Sequence, residues 1–143
     1  MIIRKMRPFK DLSEGKEWFS SWLIKKGFSD VRETDQYCHW DLEGTYKGQR
    51  CLFELKNRTF LSWTYGDVFL NKDKYDWLRE QPEKVILVMF WTDKFVMLNL
   101  KTKTPDEVTY ENCKRQTRFS DQRVVRKQVV KWNLDGLKLL DYD

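Results

Sequence analysis

Asp41, Glu54 and Lys56 are the residues of this chain whose types and spacing could do chemistry together. They lie in the stretch CHWDLEGTYKGQRCLFELKNR, from Cys38 to Arg58, which reads as two strands joined at Lys47-Gly48. Alternate residues of a strand share a face. In the second strand Cys51, Phe53 and Leu55 form an apolar face, and Arg50, Leu52, Glu54 and Lys56 form a mostly polar one. A two-residue turn at Lys47-Gly48 pairs Tyr46 with Gln49. The same register sets Asp41 opposite Glu54 and His39 opposite Lys56. Directly opposed side chains in a sheet sit roughly 5 Å apart, and like charges there are destabilising. Two carboxylates held that way have a use if a hard cation such as Mg²⁺ lies between them, because such ions take carboxylate oxygens. The plainer reading is an amphipathic hairpin with both acids facing water.

The elements needed to position those residues can be read on either side. From Asp11 to Lys26, Trp18, Phe19, Trp22 and Leu23 form one apolar stripe of helical spacing. Asp11 and Glu14 resemble a capping box, while Lys25, Lys26 and Gly27 make a helix end. Phe28 to Thr34 reads as a strand leading into the hairpin. Asn57 to Asp67 reads as an irregular loop, where Arg58 could hold a phosphate and Trp63 and Tyr65 could stack on bases, though core or lid packing is the favoured reading of each. Asn71 to Gln81 reads as a short helix with Lys72 and Lys74 in its first turn. Cations there oppose the helix dipole, so phosphate contact or plain solvation must account for them. Lys84 to Leu100 reads as a second hairpin whose run VILVMFW suits a strand buried on both faces. Thr102 to Asn112, with Pro105 and several acids, reads as a connection. RVVRKQVVKW suits a strand with a positive side, and Asp135-Gly136 a turn before the tail. The expected architecture is one α+β domain over residues 1–143, with a central mixed sheet and helices against it.

Composition narrows the function classes. A chain of 143 residues, 41% hydrophobic with seven tryptophans, can fill one core and is not a disordered segment. No run of eighteen apolar residues is present, so no membrane span is expected, and the first twelve residues do not read as a secretory signal. Cys38, Cys51 and Cys113 read as buried thiols of a cytoplasmic protein, and with a single histidine and no paired ligand spacing no zinc site is expected. From Lys114 to Lys131 seven Lys or Arg face one Asp, while the rest of the chain nets −1. Such a block, with Arg118, Arg123, Arg126 and Lys127 as candidate contacts, is the footprint of a phosphate-backbone binder or else a solvated strand face.

The order helix, strand, Asp41, Glu54-Leu55-Lys56, helix resembles the PD-(D/E)xK nuclease superfamily, the restriction-endonuclease-like fold, over roughly residues 11–100. The phrases WDLEG and LFELKNR resemble those of small nucleases of phage, restriction and junction-resolving type. The resemblance implies that Asp41, Glu54 and the Leu55 carbonyl ligate Mg²⁺, with Mn²⁺ able to substitute. It implies that Lys56 orients or activates a water that attacks phosphorus in line, leaving a 5′-phosphate. It also implies nucleic acid, DNA foremost, as the partner, and it admits a homodimer. The family often carries a supporting glutamate on the first helix. Spacing back from Gly27 puts that position nearest Lys16, flanked by Glu14 and Glu17, and the helix rim favours Glu14. Asp41 follows Trp40 instead of proline. A nucleic-acid-binding module that keeps the fold without cutting, and a partner-binding protein using its aromatic surface, are the competing classes.

Overall fold

Asp11 starts the first helix by chemistry local to it. Its carboxylate accepts from the Glu14 N–H at 2.9 Å, and the Glu14 carboxylate reaches back to the Lys10 N–H at 2.9 Å. This is the reciprocal satisfaction of a capping box, displaced by one residue. The computed structural model describes residues 6–35, 38–114 and 124–143, those at 112–114 and 124–125 by their backbone alone. Helix α1 spans Leu12–Lys25 and ends at Gly27, whose φ of +102° a side chain would resist. Strand β1 is Ser29–Glu33, β2 is Leu42–Tyr46 and β3 is Gln49–Asn57. Then come β4 (Asp67–Asn71), α2 (Lys72–Arg79), β5 (Lys84–Phe90), β6 (Phe95–Asn99), β7 (Glu107–Lys114) and β8 (Val124–Asn133).

Among the described residues these strands make two sheets, β1-β2-β3-β5-β6 and β4-β8-β7. The first is mixed, since β3 and β5 run parallel and its other pairs antiparallel. Its two faces are both covered, and β5 records this residue by residue. Val85, Leu87, Met89 and Trp91 join one core, and Ile86, Val88 and Phe90 the other. The second core lies under α1, where Phe19 and Leu23 are fully buried against Phe53 and Leu55 of β3. The first core lies under α2 and the second sheet, through Leu78, Val68, Leu70 and Trp132. Each such Leu or Phe contributes about 1.5–3 kcal/mol by leaving water. The result is the mixed α+β architecture, a central sheet flanked by helices, that the element order predicts.

Three expectations change. The first strand of the hairpin was expected from Tyr37, but its ladder begins at Leu42. The His39 ring lies 4.3 Å from that of Trp77 and the Trp40 ring 6.0 Å from it, so aromatic packing on α2 draws residues 38–40 off the sheet. His39 therefore does not face Lys56. The stretch expected as a connection from Thr102 contains β7, whose exposed Val108 and Tyr110 and many acids masked its strand alternation. The loop expected from Asn57 ends in β4, so of the second sheet only β8, read in RVVRKQVVKW, was expected. Cys51 is a buried free thiol as expected, Cys38 is half-buried and free, and the Cys113 side chain lies outside the described residues. No helix among the described residues is long and apolar enough to cross a membrane.

Candidate active site at the end of the third strand

The hairpin turn sets the site. Lys47 and Gly48 both have positive φ, +49° and +78°, the pattern of a type I′ turn that matches strand twist. Tyr46 pairs with Gln49 and Leu42 with Phe53. One position further, Asp41 leaves the ladder but stays pinned: its N–H donates to the Phe53 carbonyl at 2.8 Å and its carbonyl accepts from the Thr34 N–H at 3.1 Å. Its carboxylate Oδ2 then accepts from the Leu55 N–H at 2.7 Å. Asp41 is thus tied to β3 at Phe53 and Leu55, the residues on either side of Glu54.

Glu54 stands at the carboxyl half of β3, beside β5, with its side chain 4% exposed. Burial of a carboxylate needs compensating partners. Glu54 Oε1 has two, Lys74 Nζ at 2.9 Å and Lys56 Nζ at 3.3 Å. Lys74 projects from the first turn of α2, and its tie to Glu54 answers why a cation sits at that helix start. Lys72, two residues earlier, pairs within the helix with Asp76 at 2.6 Å. Lys16 of α1 approaches from the other side, its Nζ 3.8 Å from Asp41 Oδ1. Each carboxylate therefore has its own ammonium partners, Asp41 that of Lys16 on α1, and Glu54 those of Lys56 on β3 and Lys74 on α2.

Lys16 and the contact of Lys74 with Glu54 are what sequence reasoning missed. The spacing back from Gly27 points to Lys16 itself, and it is Lys16, not an acidic neighbour, that reaches Asp41. Glu14 is exposed and occupied with the Lys10 N–H, and Glu17 is exposed. Among the described residues no group of three or more carboxylates, histidines or cysteines could hold a metal. The oxygens that could serve a hard cation are those of Asp41, Glu54 and the Leu55 carbonyl. Their chemistry fits Mg²⁺, which keeps several waters and uses one or two carboxylates. The three lysines oppose such an ion electrostatically until an anion joins it.

The other predicted contacts divide into two places. Lys74, Arg126 and Lys127 line a polar cavity of about 490 Å³ with Tyr110, over whose ring the Arg126 guanidinium sits at 4.6 Å. Arg58 lines a different cavity, its guanidinium 5.2 Å from the Phe69 ring centroid, and burial pushes its pKa down. Arg118 and Arg123 lie outside the described residues. Trp63 and Tyr65 are exposed, not core. The Tyr65 ring meets Phe60 edge-on at 4.8 Å.

The charged cluster thus sits on β3 of a mixed sheet, beside its parallel neighbour β5. Among solved structures the chain is similar to a Holliday junction resolvase, Hjc of the archaeal hyperthermophile Archaeoglobus fulgidus. The TM-score is 0.50 and the identity 14%, over 85% of each chain, so what the two share is the fold. No protein-family model and no curated protein sequence matches the chain.

Proposed function

We propose that this protein is a metal-dependent nuclease that hydrolyses phosphodiester bonds, with DNA as its substrate. The observation that carries the reading is the convergence of Asp41, Glu54 and Lys56 at one end of β3, in a chain with a resolvase-like fold. The Holliday junction resolvase acts on branched DNA by its name; for this chain that is part of the proposal, together with the divalent ion. When bound by Asp41, Glu54 and the Leu55 carbonyl, Mg²⁺ or Mn²⁺ would polarise a phosphoryl oxygen and lower the pKa of a bound water.

The chain's own residues do the rest. Lys56 and Lys74 share one Glu54 oxygen, so either ammonium can turn to an incoming phosphate while the other keeps the buried carboxylate neutralised. Lys56, about one-third exposed, orients the water on the phosphorus. The new bond forms between water oxygen and phosphorus as the bond to the leaving 3′ oxygen breaks. Lys16 offsets the phosphate charge from the α1 side. Arg126, Lys127 and Lys74 carry the backbone beyond the cut, where exposed cations fit phosphate better than base edges.

One observation favours a second reading. Three ammonium groups around two carboxylates suit a phosphate more than a lone cation, as in a nucleic-acid-binding module that does not cut. Supercoiled, linear, single-stranded and branched DNA, and RNA, incubated with Mg²⁺ or Mn²⁺ separate the two. The nuclease reading expects cleavage of at least one DNA substrate, stopped by EDTA, and a fall of about 10²-fold or more in Glu54→Gln and Lys56→Ala. Gel shifts of DNA with every substrate left intact would establish the binding module instead.

A further inference from the structure

We propose that the cavity between the loop after β3 and the outer side of β4 and β8 is a pocket for one unpaired nucleobase. It rests on the reading of the chain as a nucleic-acid enzyme and names the kind of strand that site would take. The cavity measures about 460 Å³, room for a base and part of its sugar. Its walls are aromatic: Phe60, Tyr65, Phe69 and Trp91 line it. Tyr65 is 70% exposed and Phe69 38%, so both rings still present surface to a ligand. Base–aromatic stacking needs such surfaces and tolerates any base. A base inside a duplex has its faces covered by its neighbours and could enter only after leaving the stack.

The polar groups of the cavity select a heteroaromatic ligand over an aliphatic one. Asp67 and Glu111 both reach Lys131, at 4.0 and 2.7 Å, which sets acceptors and a donor within one wall. These groups already pair with one another, and an aliphatic side chain packed there would add no hydrogen bond to them. A base edge offers N–H groups and acceptors of its own. Burial, the largest cause, pushes the Asp67 carboxyl up, which an N–H donated from a base would offset.

The position is also suited to a strand that runs to the candidate active site. Glu54, Lys56 and Arg58 alternate along one side of β3, and the Arg58 N–H extends the ladder by donating to the Phe90 carbonyl at 2.8 Å. A two-residue step is roughly 6.8 Å. Arg58, at the cavity mouth against Phe69, is placed to hold the phosphate of the inserted nucleotide. The loop that carries Phe60 and Tyr65 is fixed in advance. The buried Asp93 accepts from the Ser62 N–H at 2.8 Å and from its hydroxyl at 2.7 Å.

The test uses the full chain in EDTA, so that nothing is cut. A single-stranded oligonucleotide carrying 2-aminopurine is titrated, and the same oligonucleotide annealed to its complement is titrated beside it. Wild-type protein is expected to change the 2-aminopurine fluorescence of the single strand as the base enters an aromatic environment. Tyr65→Ala and Phe69→Ala are expected to weaken single-strand binding about tenfold, leaving duplex binding within twofold. Phe69→Leu keeps an apolar side chain and should lose most of the same affinity if the ring face matters. No single-strand binding by wild type, unchanged binding by all three variants, or equal losses on both substrates would each overturn the pocket. Its fate is separate from that of the nuclease reading. Variants that still cut duplex DNA with metal but lose the single strand uphold both. Selective single-strand loss without any cleavage upholds the pocket alone, and cleavage with unaltered binding upholds the nuclease alone.

Discussion

Reversing the charge at Lys16 tests whether the site's electrostatics are as drawn. Two carboxylates, Asp41 and Glu54, stand among Lys16, Lys56 and Lys74, so the cluster nets one positive charge. Lys16→Glu turns that to one negative charge and adds an oxygen donor beside Asp41, on the helix where the family resemblance expects a glutamate. Unit charges about 4 Å apart interact by about 1 kcal/mol in water and about 4 kcal/mol at the effective dielectric of a protein surface. Lys16 and Asp41 are 3.8 Å apart, with side chains 28% and 23% exposed, between those limits. Two charge units acting on a divalent cation are four unit-charge interactions, so at about 4–8 Å and the dielectric of water the change should favour the ion by about 2–4 kcal/mol, or roughly 30- to 1,000-fold. Lys16→Met, which removes one unit, should gain roughly fivefold or somewhat more. Calorimetric titration with Mn²⁺ at neutral pH and low salt, without nucleic acid, reads both values, and circular dichroism checks the fold. The gain should shrink as salt rises, since the charges are partly exposed. If Lys16→Glu binds Mn²⁺ no more tightly than wild type, Asp41 and Glu54 are not the ion's ligands and the charge argument fails.

Three further outcomes follow from local chemistry. The Glu43 carboxylate is held below its ordinary range, chiefly by its hydrogen bond from Arg50, whose Nη2 lies 2.7 Å away. Its stabilising share is whole above the ordinary carboxyl pKa and lost as pH falls through the lowered native value. Urea melts of wild type and Glu43→Gln should thus differ by on the order of 1 kcal/mol at pH 7 and converge in acid; a gap unchanged down to the lowest pH would contradict this. Asp93→Ala strands the Ser62 N–H and should cost about 1–3 kcal/mol in the same melts, with faster amide exchange at Ser62; a change confined to the β6 end would be inconsistent with the anchoring role. Gly48→Val forces a branched residue to φ +78° and should cost about 1–3 kcal/mol, whereas Gly48→Asn, which tolerates that region, should cost less.

How much of this was legible depended on whether the signal was local. Lys47-Gly48 announced its turn, and the turn set a register that holds as far as Leu42 and Phe53, one position short of Asp41. The run from Val85 to Trp91 announced burial on both faces, and alternate residues do divide between two cores. Of the second sheet only β8 was legible, because β4 and β7 are half exposed. Phe69 of β4 and Tyr110 of β7 face outward, and acids occupy the positions where alternation would have read as strand. His39 was misplaced because its partner, Trp77, is thirty-eight residues away on another element.

The lysines teach a different lesson about the site. A buried carboxylate is expected to have a compensating charge, and Glu54-Leu55-Lys56 seemed to contain it. Yet Lys56 lies only two residues along the same strand and reaches Glu54 at 3.3 Å, while Lys74 from α2 comes to 2.9 Å. One oxygen shared by two ammonium groups means that neither is indispensable to the buried charge. Lys56→Ala should then leave the fold nearly intact, because Lys74 still neutralises Glu54, and any loss of cutting can be assigned to the reaction. Glu54→Gln lacks that protection, since it leaves two ammonium groups facing one another across a neutral amide. Both lysine side chains are about one-third exposed and can swing to water, so the stability cost of Glu54→Gln should fall below the 3–5 kcal/mol of a fully buried pair broken on one side. A variant inactive in cleavage but melting close to wild type is therefore the combination that ties Lys56 to chemistry.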